Sequence, residues 1–187
     1  MKSLLIKDNK AFTLIELLVV VAIIGILAAV GVVAYNGYTS SAKIKTAEAN
    51  LKTISSWLSA ESTKVCSAQQ GQNKNGMFFE DGNYKTFMKC DDDGTALAYA
   101  ASQFFYKNEK FKNPYNGQNA IPDKAVSSSY SITRNGLQSL SSTYVSKGEI
   151  MFLNLGGELM TVVLSNVGDQ DGNNKNKWVI IPAPSNF

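Results

Sequence analysis

One uninterrupted apolar run near the start of the chain limits what this sequence can fold into. Residues 17–35 are 19 consecutive uncharged and almost wholly apolar positions, and the single charged residue between Phe12 and this run is Glu16. Since about 20 apolar residues span a hydrocarbon core of roughly 30 Å, the run predicts a transmembrane helix. The alternative is a buried core helix, although a core helix usually keeps a polar face.

The charges around the run predict its orientation. Lys2, Lys7 and Lys10 precede it, and the next basic residue is Lys43. The positive-inside rule therefore places the N-terminus in the cytoplasm. A secretory signal peptide would have its small-residue cleavage site after the apolar region. Here the small residue, Ala11, precedes the run, so cleavage beside it would leave the hydrophobic helix on the protein.

Composition excludes several kinds of catalytic and binding site. The 187-residue chain contains no histidine, which removes Ser-His-Asp and Cys-His nucleophiles, histidine zinc sites and an imidazole pH switch. Its net charge is +3, of which residues 1–11 contribute +2. The remaining charge is too small for a nucleic-acid footprint. We therefore expect no enzyme activity, no specific nucleic-acid site, and no cofactor apart from the calcium considered below.

The residues where the run begins carry a family resemblance. Lys10-Ala11-Phe12-Thr13-Leu14-Ile15-Glu16, followed by LLVVVAIIGILAAV, is similar to the class III leader and N-terminal helix of type IV pilins and the related pseudopilins. The likeness is close over residues 7–38 and fades beyond them. It implies that a prepilin peptidase cuts between Ala11 and Phe12 and methylates the new amino group of Phe12.

Two positions depart from the family pattern. Ala11 stands before the implied cleavage site, where glycine is usual, and Val33 stands where a helix-kinking proline is common. The family tolerates alanine at the first position. With valine at position 33, the helix lacks the proline that usually causes the kink.

The resemblance implies a structural subunit. A type IV pilin is anchored in the bacterial inner membrane by one span, with its N-terminus in the cytoplasm. It then enters a helical homo-oligomeric extracellular filament that serves adhesion, surface motility or DNA uptake. The implied partners are the prepilin peptidase, the membrane, and the pilus assembly machinery of the inner membrane.

Two other functions stay open at this point. One is a pseudopilin of a type II secretion system, because the leader is the same in both groups. The other is a membrane-anchored periplasmic binding module or enzyme, which would need a convergent polar site. The sequence reveals no such site.

Glu16 is an acidic residue inside the predicted span. A carboxylate there costs about 2.5–3.5 kcal/mol on insertion scales, so it is expected to have a partner. The α-amino group that cleavage would create on Phe12 lies one turn away in the same helix. Pairing of that amine with Glu16 of a neighbouring subunit would set the axial register of a filament. Alternatively, the Glu16 side chain reaches the headgroups.

A second helical pattern follows the apolar run. Apolar residues recur with +3 and +4 spacing, which predicts one buried helical face. These residues are Ile44, Ala47, Leu51, Ile54 and Leu58. No proline occurs in residues 12–63, so we expect one continuous helix about 75 Å long at 1.5 Å per residue.

We predict four parts of the chain and an α+β fold. The parts are a cleaved basic leader (1–11), a hydrophobic transmembrane and assembly helix (12–38), the amphipathic half of the same helix (39–63) and a globular α+β head (64–187). In the expected pilin fold, the amphipathic half of the long helix packs against an antiparallel β-sheet.

Elements of the head are visible as short patterns. The segment ALAYAASQFFY after Asp93-Gly94-Thr95 predicts a helix, and residues 111–117 predict a turn. After Lys64, the segment GQNKNG is expected to lie in a loop region with little that could pack. EIMFLNL and ELMTVVL on either side of Gly156-Gly157 predict a hairpin with a two-residue turn.

Further strands are expected on both sides of this hairpin. Residues 177–181 predict a third strand that ends at Pro182. Residues 130–133 predict a further short strand. These strands complete the predicted antiparallel sheet.

Cys66 and Cys90 are the two cysteines of the chain. In a periplasmic or extracellular head, such a pair predicts a disulfide. Closing a loop of this length stabilises the fold by roughly 3 kcal/mol in the chain-entropy account. Two reduced, buried thiols are the alternative.

A candidate calcium loop lies near the end of the chain. Asp169, Asp171 and Asn173 place oxygen ligands at alternate positions, and Gly172 permits a tight turn, as at the start of a calcium-binding loop. Ile180 occupies the position where such a loop has its bidentate glutamate. The alternative is a plain Asx/Gly turn between strands.

Overall fold

The structure is a computed structural model that describes residues 12–67, 77–81, 84–88, 94–108, 110–122, 131–133, 136, 145–155 and 160–182. In chain order, the elements of this part are α1 (Leu14–Ser67), β1 (Met77–Asp81), β2 (Tyr84–Met88), α2 (Gly94–Asn108), β3 (Ser131–Ile132), β4 (Ile150–Leu155), β5 (Met160–Asn166) and β6 (Asn176–Pro182). The chain divides into two compact units, Met1–Thr39 and Ser40–Phe187.

The long helix α1 confirms the prediction of a continuous N-terminal helix. It has 54 residues and passes through Val33 without a break. The absence of proline explains this continuity, because an interior proline would remove a backbone hydrogen bond and clash with the preceding turn. Its first part belongs to the first unit and the rest to the second.

The main sheet contains the predicted strands and has the order β3-β4-β5-β6. β4 pairs antiparallel with β5, and β5 pairs antiparallel with β6. Val163 of β5 lies opposite Phe152 on one side and Val179 on the other. The β-branched and aromatic residues of these strands favour such pairing. Pro182 is the last residue of β6, as predicted.

The sheet differs from the prediction in two details. β3 pairs with β4 in parallel, with Ile132 opposite Leu155, whereas an entirely antiparallel sheet was expected. The β4–β5 register, with Asn154 opposite Thr161, is centred one residue beyond the predicted Gly156-Gly157 turn. The connecting residues 156–159 lie outside the described residues.

A second, two-stranded sheet occurs where a loop was predicted. β1 and β2 pair antiparallel, with Phe79 opposite Thr86. The polar residues 71–76 favour a loop, but short apolar and aromatic runs follow them in the sequence. Gly82-Asn83 separates these runs in the sequence, and such a dipeptide is a hairpin signal.

The core of the second unit forms where the apolar face of α1 meets α2 and the main sheet. The predicted face is buried at Ala47, Leu51, Ile54 and Leu58, each at most 5% exposed. Three of these four, Leu51, Ile54 and Leu58, belong to one cluster with residues of α2 and of β4–β6. This arrangement confirms the α+β fold class, a long helix with an antiparallel sheet.

An aromatic cluster lies at the centre of this core. Trp57 of α1 stacks on Phe104 of α2 with ring centroids 4.9 Å apart. Phe105 lies edge-on to both rings and stacks on Phe152 of β4 at 5.8 Å. These contacts join the helix pair to the sheet through side chains that remove large apolar areas from water.

A buried asparagine, Asn166, links the connections around the sheet. Asn166 is fully buried, and its Nδ2 donates to the carbonyl of Val145 at 2.9 Å and to Oδ1 of Asn174 at 2.8 Å. Its Oδ1 accepts from the backbone N–H groups of Gly168 and Lys175, at 3.2 and 3.1 Å. The side chain therefore links three segments of the chain, because both its amide nitrogen and its amide oxygen have hydrogen-bond partners.

Replacing Asn166 with alanine is expected to lower the free energy of unfolding by about 2–3 kcal/mol, because buried backbone groups would lose their partners. Urea unfolding of the full chain in detergent micelles, followed by tryptophan fluorescence, measures this change. Asn174→Ala is the matched control, because this exposed side chain provides one of the bonds. Equal effects of the two substitutions would contradict the assignment.

One glycine of this region is required by geometry. Gly148 has a φ of +77°, and a Cβ at this position would lie 2.0 Å from Oδ1 of Asn113. The Asn113 side chain is itself held, with Nδ2 donating to the carbonyl of Lys147 and Oδ1 accepting from the N–H of Tyr115, both at 2.8 Å. The close approach therefore excludes any side chain at position 148.

Candidate assembly site

The first unit of the chain exposes a large apolar surface. Within the described residues, α1 is a helix long and apolar enough to cross a membrane. None of its most apolar 18-residue window is buried, and Phe12, just before the helix, is 83% exposed. Soluble proteins rarely leave contiguous apolar surface of this extent uncovered. An apolar surface of this kind suits surroundings of lipid or of other protein chains.

Glu16 lies in the first turn of α1 and binds the start of its own helix. Its Oε2 accepts hydrogen bonds from the backbone N–H of Thr13 at 2.8 Å and from the Thr13 hydroxyl at 2.7 Å. The Thr13 hydroxyl in turn accepts from the N–H of Glu16 at 3.3 Å. These reciprocal bonds form a capping box, in which the first and fourth residues satisfy each other's free N–H groups.

The capping box is a feature of Glu16 that the sequence analysis missed. Its signal is present as Thr13-Leu14-Ile15-Glu16 directly before the apolar run, the spacing that the motif requires. The partners expected from the sequence for this carboxylate are an amine or lipid headgroups. In the structure, the carboxylate is held beside Thr13, the residue that follows Phe12. The predicted cleavage site itself falls partly outside the description, which begins at Phe12 and does not include Ala11.

The predicted disulfide also falls outside the description. Cys66 belongs to the last turn of α1 by its backbone, but its side chain and the whole of Cys90 lie outside the described residues. The Cys66–Cys90 bond stays a prediction. It would make the intact mass lighter by two hydrogen atoms.

The candidate calcium loop forms a hydrogen-bonded turn. The Asp169 carboxylate accepts from the backbone N–H of Asn173 at 2.7 Å and from the Asn173 side-chain amide at 3.2 Å. Gly172 has a φ of +83°, and the Lys147 ammonium donates to its carbonyl. Among the described residues, no group of three or more His, Cys, Asp and Glu could hold a metal ion. Calcium binding by Asp169, Asp171 and Asn173 stays a prediction.

The bonds in this turn make Asp169 sensitive to acid. The backbone N–H of Asn173 lowers the pKa of Asp169, and the Asn173 side chain, the Asp171 N–H and the Lys147 charge act in the same direction against desolvation. A carboxylate with a lowered folded-state pKa stabilises the fold above its unfolded pKa, and this contribution is lost as pH falls through the folded value.

We therefore expect Asp169→Asn to weaken the pH dependence of stability below about pH 4, the range of an ordinary Asp pKa. Urea midpoints measured across this range should fall less steeply for the variant than for the wild type. Asp171→Asn removes a neighbouring exposed carboxylate and is the control. If the urea midpoint of Asp169→Asn falls with decreasing pH as steeply as that of the wild type, this carboxylate is not the acid-sensitive group.

A groove of about 800 Å³ lies between α1 and β6 in the second unit. Its charged side chains are Glu48, Lys52 and Lys177, and Lys177 pairs with Glu48 across the groove. Serine and threonine hydroxyls of α1 line much of the remaining wall. The ion pair ties the amphipathic half of α1 to the edge of the sheet.

The comparisons with known proteins match short stretches of the chain. The family model described as the prokaryotic N-terminal methylation motif matches residues 6–32. The chain is also 58% identical over 39 residues to a type IV major pilin protein PilE1 of Neisseria gonorrhoeae. It has the same identity over 39 residues to a fimbrial protein of Neisseria meningitidis serogroup B.

These matches cover a small share of each protein. The aligned 39 residues are 21% of this chain, 24% of the gonococcal relative and 23% of the meningococcal one. No solved structure matches this chain. The methylation motif covers the segment that holds the capping box and much of the exposed apolar helix. The chain therefore carries the prokaryotic N-terminal methylation motif and, over a stretch of 39 residues, is similar to type IV pilins.

Proposed function

We propose that this chain is a structural subunit of a type IV pilus. Prepilin peptidase cleaves it between Ala11 and Phe12 and methylates Phe12, and the subunit then polymerises through α1 into an extracellular filament used for adhesion, surface motility or DNA uptake. The observation that carries the proposal is the exposed apolar start of α1, placed within and after the methylation motif.

The exposed apolar surface serves two environments in turn. Before assembly, residues 12–38 lie in the inner membrane with the N-terminus in the cytoplasm, where peptidase and assembly machinery reach them. After assembly, the same side chains pack against α1 of other copies. Burial of apolar surface stabilises either state by about 25 cal/mol per Å² relative to water, so the helix can exchange lipid for protein at little net cost.

Glu16 gives this otherwise non-directional packing a register. Its carboxylate is fixed at the first turn by Thr13, where it can pair with the methylated amine of Phe12 of an adjacent subunit. A charged pair of this kind favours one axial offset between helices, because all other offsets leave the carboxylate without its cation in an apolar medium. In this arrangement the apolar helices supply the buried area, and Glu16 sets the axial position of each subunit.

Electron microscopy of cells and of their sheared surface fraction tests the proposal. We expect long surface fibres that contain this chain, and their loss in Ala11→Trp, because a bulky side chain would block a cleavage site that has a small residue. A processed chain confined to short membrane-associated assemblies would instead indicate a pseudopilin of a type II secretion system. Fibres that persist in the uncleaved variant would contradict the proposed assembly route.

A further inference from the structure

Two tyrosines lie at the end of the exposed apolar segment of α1. Tyr35 and Tyr38 are 67% and 75% exposed, and their separation of three residues places them on neighbouring positions of one helix face. Among the described residues, neither hydroxyl has a hydrogen-bond partner. A tyrosine combines an apolar ring with a polar tip, and this combination is favoured where hydrocarbon meets water.

The distance between these tyrosines and Glu16 matches the thickness of a membrane core. Glu16 and Tyr35 are 19 residues apart within one unbroken helix, which corresponds to about 29 Å at 1.5 Å per residue. The hydrocarbon core of a bilayer is about 30 Å thick. The residues between them are uncharged and almost wholly apolar.

The residues next to the tyrosines support a boundary at this point. Asn36 and Thr39 are the first strongly polar side chains after the run, and the Thr39 hydroxyl donates to the carbonyl of Asn36 at 3.0 Å. This bond satisfies the threonine within the helix. The tyrosine hydroxyls are therefore among the groups at this level that still require acceptors, which lipid carbonyl and phosphate oxygens can supply.

We infer that Tyr35 and Tyr38 form a phospholipid-binding anchor that, together with Glu16, fixes the depth of the unassembled subunit in the bilayer. The tyrosines bind the headgroup region of the outer leaflet, and Glu16 lies in the headgroup region of the cytoplasmic leaflet. Glu16 then keeps access to water and to the newly formed amine of Phe12. This inference rests on the membrane-anchored stage of the proposed function. It adds a ligand for the two tyrosines, phospholipid, and a defined depth for Glu16, neither of which membrane anchoring alone requires.

Nuclear magnetic resonance of the full chain in nanodiscs tests the anchor. The discs contain palmitoyl-oleoyl phosphatidylethanolamine and phosphatidylglycerol, and a water-soluble gadolinium chelate relaxes the amides that lie near water. We expect relaxation to be lowest midway between Glu16 and Tyr35, near Gly25. It should rise towards both ends of the segment.

Substitutions separate the anchor from general hydrophobic insertion. The double variant Tyr35→Leu/Tyr38→Leu replaces the amphipathic rings with wholly apolar side chains at this end of the run, so its relaxation minimum should move about two residues towards the C-terminus, or about 3 Å along the helix. The control Tyr35→Trp/Tyr38→Trp keeps amphipathic rings and should keep the wild-type minimum.

Four outcomes would overturn the inference. An unchanged minimum in the leucine variant, or a tryptophan variant that shifts as far as the leucine one, would show that the tyrosines do not set the depth. Uniformly strong relaxation of residues 12–40 in the wild type would show that the segment is not in the bilayer, which would also remove the membrane stage of the proposed function. A minimum at another position refutes the depth assignment alone.

Discussion

Filament yield is expected to fall about ten- to a hundredfold when Glu16 is replaced by alanine. A hydrogen bond to a charged group is worth about 1.5–3 kcal/mol, and each 1.4 kcal/mol is a factor of ten in an equilibrium constant. The loss of the pair between Glu16 and the Phe12 amine of a neighbouring subunit should therefore shift subunits from filament to membrane. Quantitative blotting of sheared and membrane fractions measures this shift.

Glu16→Gln separates the two roles of this side chain. Glutamine can still accept the hydrogen bonds of Thr13, since the capping box accepts either residue, but it carries no charge. We expect Glu16→Gln to assemble as poorly as Glu16→Ala while both remain cleaved and membrane-inserted. Full assembly of Glu16→Gln would show that helix capping, and not charge pairing, is what the filament needs.

Replacing Phe152 with alanine is expected to lower the free energy of unfolding by about 3–5 kcal/mol, the range for large aromatic residues in a packed core. Phe152 is 1% exposed and stacks on Phe105, so its removal leaves a cavity between the sheet and α2. Because Trp57 belongs to the same aromatic cluster, its fluorescence in urea titrations of the micelle-bound full chain measures the loss.

Tyr99→Ala is the matched control for this substitution. Tyr99 is in α2 but is 57% exposed, and substitutions at such positions usually change stability by less than about 0.5 kcal/mol. An effect of Phe152→Ala as small as that of Tyr99→Ala would contradict the placement of the core.

The long helix and the main strands could be predicted because their patterns are local and periodic. The apolar run, the +3/+4 spacing of Leu51, Ile54 and Leu58, and the absence of proline together specify α1 before any tertiary contact is known. Strands β4, β5 and β6 appear as short apolar runs for the same reason. In these segments, local preference and tertiary burial agree.

Features that depend on distant partners escaped prediction. The parallel pairing of β3 and the network around Asn166 join segments far apart in sequence, and neither leaves a periodic pattern. Asparagine is a residue type typical of turns, yet the four hydrogen bonds of Asn166 make it a buried link between three segments. The capping box of Glu16 could have been predicted, because its T-x-x-E signal is local. The expectation for Glu16 rested on its charge instead.

Intact-mass and N-terminal peptide analysis of sheared material, beside the membrane fraction of the same cells, tests the central claim most directly. The account predicts that the dominant sheared species begins at Phe12 and carries one added methyl group on its amino terminus. A chain that begins at Met1 in both fractions would contradict it, because the leader would then be uncut and the apolar helix would not be the processed assembly segment of a pilin.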